Sequence, residues 1–199
     1  MSFLKDLLGK KKKTGINKDD ALKNLTEARD ILDKLNIRYW LTDGTLLGFY
    51  RNGDFIDHDE DLDMGASIDS FNDKVVLDFT DSGWKIANIY GKRECGLEIS
   101  FKKRKIKLDI FFFYTEDGKI WHGAWRKYKE DGITKRNLIK YSYDTFGIKT
   151  AVFKGETFNI PEDPEKFVVT KYGKNWRTPV KQWDWEFGPS NAEKTEIVI

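Results

Sequence analysis

The 199-residue chain has little cysteine, no excess of one charge sign and no long apolar run. Its single cysteine, Cys95, excludes an intramolecular disulfide and argues against a cysteine-based metal site. The 35 basic and 33 acidic residues nearly cancel, so bulk electrostatics do not indicate a nucleic-acid-binding protein. Because no apolar run approaches the length of a membrane span, and no secretory signal is recognisable, we expect a cytoplasmic protein.

The length favours a single domain with a sizeable core. Seven Trp, eight Tyr and fourteen Phe predict that this core is rich in aromatic side chains. We expect a basic, flexible N-terminus over residues 1–16 and one domain over residues 17–199. Within that N-terminus, apolar residues precede four lysines at 10–13, a pattern that can contact an anionic membrane surface weakly. A solvated terminus is the simpler interpretation.

Hydrophobic spacing predicts a helix that Asn17 caps and that runs to Leu35, followed by a strand at 37–42 and a short helix at 46–50. We expect a third helix from a cap at Asp69 to about residue 80 and a fourth over 165–172, ended by Gly173. Further strands are predicted at 62–66, 84–90, 97–102, 105–114 and 119–125, and Asp117-Gly118 predicts a hairpin turn before the last of them. The strands from 84 onward leave no room for crossover helices. The fold class is therefore α/β (α+β), with a mixed, mostly antiparallel sheet flanked by helices.

The segment from Gly44 to Asp63 is the most informative part of the sequence. Gly44-Thr45 predicts a tight turn whose backbone N–H groups are free to bind an anion. A dense block of acidic residues follows: Asp57, Asp59, Glu60, Asp61 and Asp63. A fold rarely tolerates so many like charges unless a cation lies among them. An anion-binding turn beside a cation site is typical of Mg²⁺-dependent phosphoryl or nucleotidyl chemistry.

The alternating acids also resemble a calcium loop, but the sixth position is Leu62 and the twelfth is Ile68, which excludes an EF-hand.

On a strand, Asp61 and Asp63 would share one face and could ligate Mg²⁺ or Mn²⁺. Asp109 stands alone among apolar residues of a later strand, where an unpaired carboxylate would be costly to bury. It is the candidate third ligand; the alternative is an ion pair with Lys107.

Several other residues have two possible roles. Arg51 can bind donor phosphates through its planar guanidinium, or form a salt bridge with the acidic block. His58 and Asp59 are possible accessory residues, although a His beside carboxylates is usually no more than an exposed side chain. His122, Trp121 and Trp125 can line a nucleobase or sugar pocket, or pack in the core.

The sequence resembles the LicD/fukutin family of phosphotransferases over residues 39–179, with its motifs in the family's order. The matching elements are Gly44–Gly48, Arg51, Phe55-Ile56, Asp59–Asp63, Leu108–Phe111, Ile160-Pro161 and Tyr172-Gly173 with Trp176 and Pro179. The resemblance implies a nucleotidyltransferase-like fold. It also implies Asp61, Asp63 and Asp109 as catalytic metal ligands, and Gly44 and Thr45 near the donor phosphates.

The resemblance further implies transfer of a phospho-alcohol, such as phosphocholine or ribitol phosphate, from a CDP-activated donor to a glycan or glycoconjugate hydroxyl. The alternative is a nucleotidyltransferase that moves an NMP to a small molecule, glycan or protein. A catalytically silent binding module ranks last, because all three carboxylates are present.

Overall fold

The computed structural model describes residues 15–181 and 183–199. Within these residues the helices are α1 Lys18–Lys34, α2 Asp43–Asn52, α3 Lys74–Asp81 and α4 Pro164–Tyr172. The strands are β1 Tyr39–Leu41, β2 Asp61–Ser67, β3 Lys85–Lys92, β4 Cys95–Lys103, β5 Ile106–Glu116, β6 Lys119–Glu130, β7 Ile133–Asp144, β8 Ile148–Phe153, β9 Glu156–Pro161 and β10 Ala192–Val198. The basic segment predicted to touch membranes falls on residues 1–14, outside the described ranges.

The main sheet is organised around β5. Its first two thirds lie between β2 and β4, and its last residues, Tyr114–Glu116, pair with β6. The sheet runs β1-β2-β5-β6-β7-β10, and β4 also pairs with β5 and carries β3 on its other edge, while β8 and β9 form a separate hairpin. Among the described strands, β2 and β5 make the one parallel pair, and the others are antiparallel. The predicted mixed, mostly antiparallel sheet is confirmed.

Helix α1 covers the sheet with the apolar face that the sequence predicts. Asn17 caps it by accepting a hydrogen bond from the backbone N–H of Asp20. The core is aromatic, as predicted. The ring of Phe79 in α3 stacks on Phe101 of β4 at 4.2 Å between centroids, and Trp40 of β1 meets Phe113 of β5 edge-on at 4.9 Å.

Two predicted helix starts were wrong. Asp69 does not cap α3 but lies in a 3-10 turn, Ile68–Ser70. Phe71 after it is extended, with its ring against Phe112, so the helix begins only at Lys74. Helix α2 begins at Asp43 instead of residue 46, so Gly44-Thr45 forms its first turn and not a separate loop.

The sequence prediction missed most of the C-terminal strands. Strand β6 extends past residue 125 to Glu130, and a turn at Asp131-Gly132 leads into the long partner strand β7. Both turn residues have positive φ angles, 51° and 77°, as a tight hairpin requires. Strand β10 then pairs with β7, far from it in sequence.

Candidate active site

The parallel pairing of β2 with β5 brings the predicted ligands together. The register places Asp61 opposite Lys107 and Asp63 opposite Asp109. Because side chains alternate along a strand, these four side chains lie on the same face of the sheet. Leu62 and Leu108, at the intervening positions, are fully buried. Three carboxylates from two strands therefore converge at one place, as the sequence predicts.

The first turn of α2 holds Asp63 in position. The backbone N–H groups of Gly44 and Thr45 donate to Asp63 Oδ2 at 2.9 and 3.4 Å. The Asp63 N–H in turn donates to Thr45 Oγ1 at 2.8 Å. Gly44 and Thr45 thus bind a carboxylate of the site in this structure, and their binding of a donor phosphate stays a prediction.

Gly44 also has a steric role. A Cβ atom at this position would lie 2.6 Å from Asp59 Oδ2 and 3.1 Å from Asp63 Oδ2. Any other residue would therefore push these two carboxylates away from the helix. The missing side chain explains how Asp59, a predicted accessory residue, comes close to Asp63.

Lys107 supplies a positive charge within the carboxylate cluster. Its Nζ lies 2.7 Å from Asp109 Oδ2 and 3.2 Å from Asp61 Oδ2. The ion pair that the sequence left open for Asp109 is therefore present. The second oxygen, Asp109 Oδ1, is buried and accepts no hydrogen bond of normal geometry from the described residues. A buried carboxylate oxygen without a partner is costly, and a ligand would relieve that cost.

The remaining carboxylates repel one another. Burial and then the nearby charge of Asp61 raise the pKa of Asp59 to about 7. Burial, followed by the charges of Asp61, Asp43, Asp59 and Asp109, raises the pKa of Asp63 well above its ordinary value. Carboxyl groups with raised pKa values lose their protons more readily when a cation binds beside them, because the cation stabilises the charged carboxylates.

The carboxylate cluster has the donor chemistry of the divalent-metal site that the family resemblance implies. Hard oxygen donors are the ligands that Mg²⁺ and Mn²⁺ prefer, and Asp109 Oδ1 has an unused lone pair. No group of three or more His, Cys, Asp or Glu side chains in residues 15–181 and 183–199 is already arranged as a metal cage. The donor chemistry therefore fits, while Lys107 Nζ lies between two of the three carboxylates.

The carboxylates line a cavity of about 680 Å³. Its walls also carry a set of aromatic side chains: Trp125, Tyr141, Tyr172, Trp176, Trp183 and Trp185. Stacking surfaces of this kind suit a sugar or a nucleobase. Trp125 and His122 both line the cavity, which is one of the two roles that the sequence left open for them. Trp121 instead stacks on Tyr114 at 4.6 Å, in a smaller hydrophobic cluster.

Three buried charged residues that line the cavity were missed by sequence reasoning: Asp43, Glu98 and Lys171. Lys171 Nζ donates to Asp43 Oδ1, and both side chains are buried. The same ammonium lies 4.7 Å from the ring centre of Tyr141. Glu98, on β4, is 8% exposed, and burial raises its pKa to about 8.

His122 is fully buried, and neither ring nitrogen has a hydrogen-bond partner among the described residues. Burial lowers its pKa to about 3, so the ring is neutral at physiological pH.

Arg51 lies at the same cavity and donates to Asn52 Oδ1 at 2.7 Å and to the Trp176 carbonyl at 3.4 Å. His58 is exposed and also lines the cavity. Their proposed functional roles stay predictions.

Comparison with known proteins agrees with this geometry. A family model for the LicD/FKTN/FKRP nucleotidyltransferase domain matches residues 36–163. The chain belongs to the LicD family. The matched segment includes α2, β2 and β5, and therefore all three of the converging carboxylates. The elements that carry the carboxylate cluster therefore lie within the matched segment, whereas α4 and the aromatic residues from Tyr172 to Trp185 lie beyond it.

Among the relatives of this LicD-family chain are two ribitol phosphate transferases. It is 34% identical over 171 residues to the ribitol-5-phosphate transferase FKTN of Macaca fascicularis. The alignment covers 85% of this chain and 36% of that protein. It is 23% identical over 149 residues to the human ribitol 5-phosphate transferase FKRP, covering 72% of this chain and 29% of that protein. The chain spans about a third of the length of these relatives. No helix in the described ranges is long and apolar enough to cross a membrane.

Proposed function

We propose that this chain is a metal-dependent phosphotransferase. It moves a phospho-alcohol, such as phosphocholine or ribitol phosphate, from a CDP-activated donor to a hydroxyl of a glycan or glycoconjugate. The observation that carries this proposal is the convergence of Asp61, Asp63 and Asp109 in a cavity that also has aromatic walls. The names of the FKTN and FKRP relatives support the phospho-alcohol and favour ribitol phosphate.

Each part of the cavity has a role in this proposal. Asp61, Asp63 and Asp109 would hold Mg²⁺ or Mn²⁺, which supplies charge neutralisation for a transferring phosphoryl group. Arg51 binds the donor phosphates, and its fork of N–H groups suits paired phosphate oxygens. The aromatic residues stack on the nucleoside of the donor or on the acceptor sugar. A reducing, cytoplasmic location remains part of the proposal.

A second candidate function, NMP transfer, is favoured by one observation. The matching family model is described as a nucleotidyltransferase domain. Labelled donors separate the two reactions. A CDP-alcohol labelled in the alcohol should pass its label to the acceptor, whereas one labelled in the cytidine should not. Transfer of the cytidine label would establish nucleotidyl transfer instead, and transfer of neither label with Mg²⁺ and a range of glycan acceptors would contradict the proposal.

Carboxylate variants test the site in the same assay. Asp61→Asn, Asp63→Asn and Asp109→Asn should each abolish transfer while the protein still folds. The matched control is Asp57→Asn, because Asp57 belongs to the same acidic block but is 88% exposed and pairs with Lys18 at 2.7 Å. That control should retain activity, since exposed ion pairs contribute about 0–1 kcal/mol. Full turnover by any of the first three variants would remove that residue from the site.

A binding assay needs no knowledge of the acceptor. A ligand at 100 times its Kd stabilises a protein by about 2.7 kcal/mol, which for a domain of this size raises Tm by about 5–10 °C. CDP with Mg²⁺ should give this rise, and CDP with EDTA much less, because the diphosphate would face uncompensated carboxylates. Asp61→Asn should lose the metal-dependent part. Equal shifts in both proteins would show that the nucleotide binds elsewhere.

A further inference from the structure

Lys107 occupies a position in the carboxylate cluster that none of the roles above explains. Its side chain reaches from β5 to carboxylates on two strands, Asp61 on β2 and Asp109 on its own strand. We propose that the Lys107 ammonium is a built-in counter-ion, which neutralises these carboxylates in the metal-free protein and is displaced when a divalent cation binds. This inference rests on the metal dependence of the proposed function and adds a residue that controls it.

The distances place the ammonium where it would compete with a bound metal. The ammonium contacts one oxygen of each carboxylate, at 2.7 Å to Asp109 and 3.2 Å to Asp61. A Mg²⁺ ion needs its ligand oxygens at about 2.0–2.1 Å. A metal that used the two oxygens in contact with Nζ would need the space that Nζ fills. A metal that used Asp109 Oδ1 instead would still lie beside the ammonium, and the two positive charges would repel each other.

The Lys107 side chain can move more easily than the Asp109 carboxylate that it contacts. The Lys107 side chain is 38% exposed, whereas that of Asp109 is 6% exposed and therefore fixed by its neighbours. A lysine has a flexible stem of four carbons and three equivalent donors, so its head group can leave one contact and enter water at low cost. The carboxylate stays in place, where Oδ1 can bind the metal, and the lysine moves.

Direct metal binding tests the inference without any substrate. Mn²⁺ alone is titrated into nucleotide-free protein, and free Mn²⁺ is measured by electron paramagnetic resonance. Lys107→Met should bind Mn²⁺ at least about tenfold more tightly than wild type, because the metal no longer displaces a cation, and tenfold corresponds to about 1.4 kcal/mol. The control is Lys102→Met, since Lys102 lies opposite Lys107 on β4 and is exposed. It should change the Mn²⁺ affinity less than twofold.

Two further measurements keep the test decisive. Lys107→Arg keeps the charge and should bind Mn²⁺ within about threefold of wild type. Lys107→Met should melt below wild type in EDTA, because two carboxylates lose their partner, and Mn²⁺ should raise its Tm by more than it raises that of wild type. If this variant is unfolded without metal, refolding on addition of Mn²⁺, followed by circular dichroism, reports the same competition.

The outcomes separate this inference from the proposed function. Two results would overturn the counter-ion role and leave the phosphotransferase proposal standing. In the first, Mn²⁺ binds to wild type and binds no more tightly to Lys107→Met. In the second, an unfolded Lys107→Met does not refold with Mn²⁺. Mn²⁺ binding to neither protein overturns both the counter-ion role and the metal dependence. Mn²⁺ binding to Lys107→Met but not to wild type supports the counter-ion role and shows that the ammonium keeps the metal out of the wild-type site.

Discussion

The buried ion pair between Lys171 and Asp43 joins helix α4 to the first turn of helix α2, next to the carboxylate cluster. Their side chains are only 7% and 10% exposed. Burial raises the pKa of Asp43, but the Lys171 ammonium and smaller contributions from other neighbours together bring it below its ordinary value, so the carboxylate is held in its charged form. We predict that Lys171→Met strongly destabilises the protein, because it leaves this charge buried without a partner.

The size of the effect follows from burial. Removing one partner of a buried ion pair costs about 3–5 kcal/mol. Each kcal/mol shifts the Tm of a domain of this size by about 2–4 °C, so Lys171→Met should lower Tm by about 6–20 °C. Asp43→Asn should cost less, because the amide oxygen can still accept a hydrogen bond from the ammonium, which also lies 4.7 Å from the ring centre of Tyr141. The positive φ of 45° at residue 43 does not oppose this change, since Asn tolerates that conformation.

Thermal unfolding in EDTA, followed by circular dichroism, measures these shifts. The matched control is Lys166→Met, on the same helix, because Lys166 pairs with Asp144 at 3.0 Å and the two side chains are 60% and 52% exposed. Its loss should be below about 1 kcal/mol. The double change Asp43→Asn with Lys171→Met should recover part of the loss, since no unpaired charge remains. A Tm for Lys171→Met no lower than that of Lys166→Met would refute the reasoning.

Three further predictions concern other parts of the molecule. Arg51→Lys should lower kcat/KM by more than about twofold, because an ammonium cannot make the paired phosphate bonds of a guanidinium, and a smaller loss in steady-state assays would favour a structural role. Gly65→Ala should cost about 1–3 kcal/mol in denaturant unfolding, since the added Cβ would lie 2.5 Å from Trp40 Nε1; unchanged stability would contradict that clash. Burial raises the pKa of Glu98 from its ordinary 4.5 to about 8, so its contribution to stability is present below about pH 4.5 and is lost as the pH rises to about 8. Glu98→Gln should therefore gain Tm relative to wild type between pH 5 and pH 8 in EDTA, and a pH-independent difference would count against this.

The parts of the fold that the sequence predicted correctly are those fixed by local patterns. The Asn17 cap and the apolar spacing after it define α1, and Asp117-Gly118 marks the turn between β5 and β6. Asp131-Gly132 is the same kind of signal, with the same positive φ angles, and could have revealed β7. The Lys154-Gly155 turn has this geometry too but lacks an Asp or Asn, so its sequence signal is weaker.

Other errors came from tertiary contacts that no local pattern contains. Asp69 has the right chemistry for a helix cap, but the Phe71 ring packs on Phe112, which keeps the chain extended there. Lys171 is placed like a surface residue near the end of a short helix, and its partner Asp43 is 128 residues away in the sequence. Such a pair is decided by how α2 and α4 meet, which only the folded chain shows.

Lys107 shows why the two sequence interpretations of Asp109 were hard to separate. The pattern Lys-Leu-Asp places an ammonium and a carboxylate two residues apart, on the same face of one strand. It therefore predicts an ion pair, while Asp61 and Asp63 on the neighbouring strand predict a metal site. The register of β2 and β5 puts both arrangements in the same space. A metal and a lysine that compete for the same carboxylates reconcile the two interpretations, since each describes one state of the site.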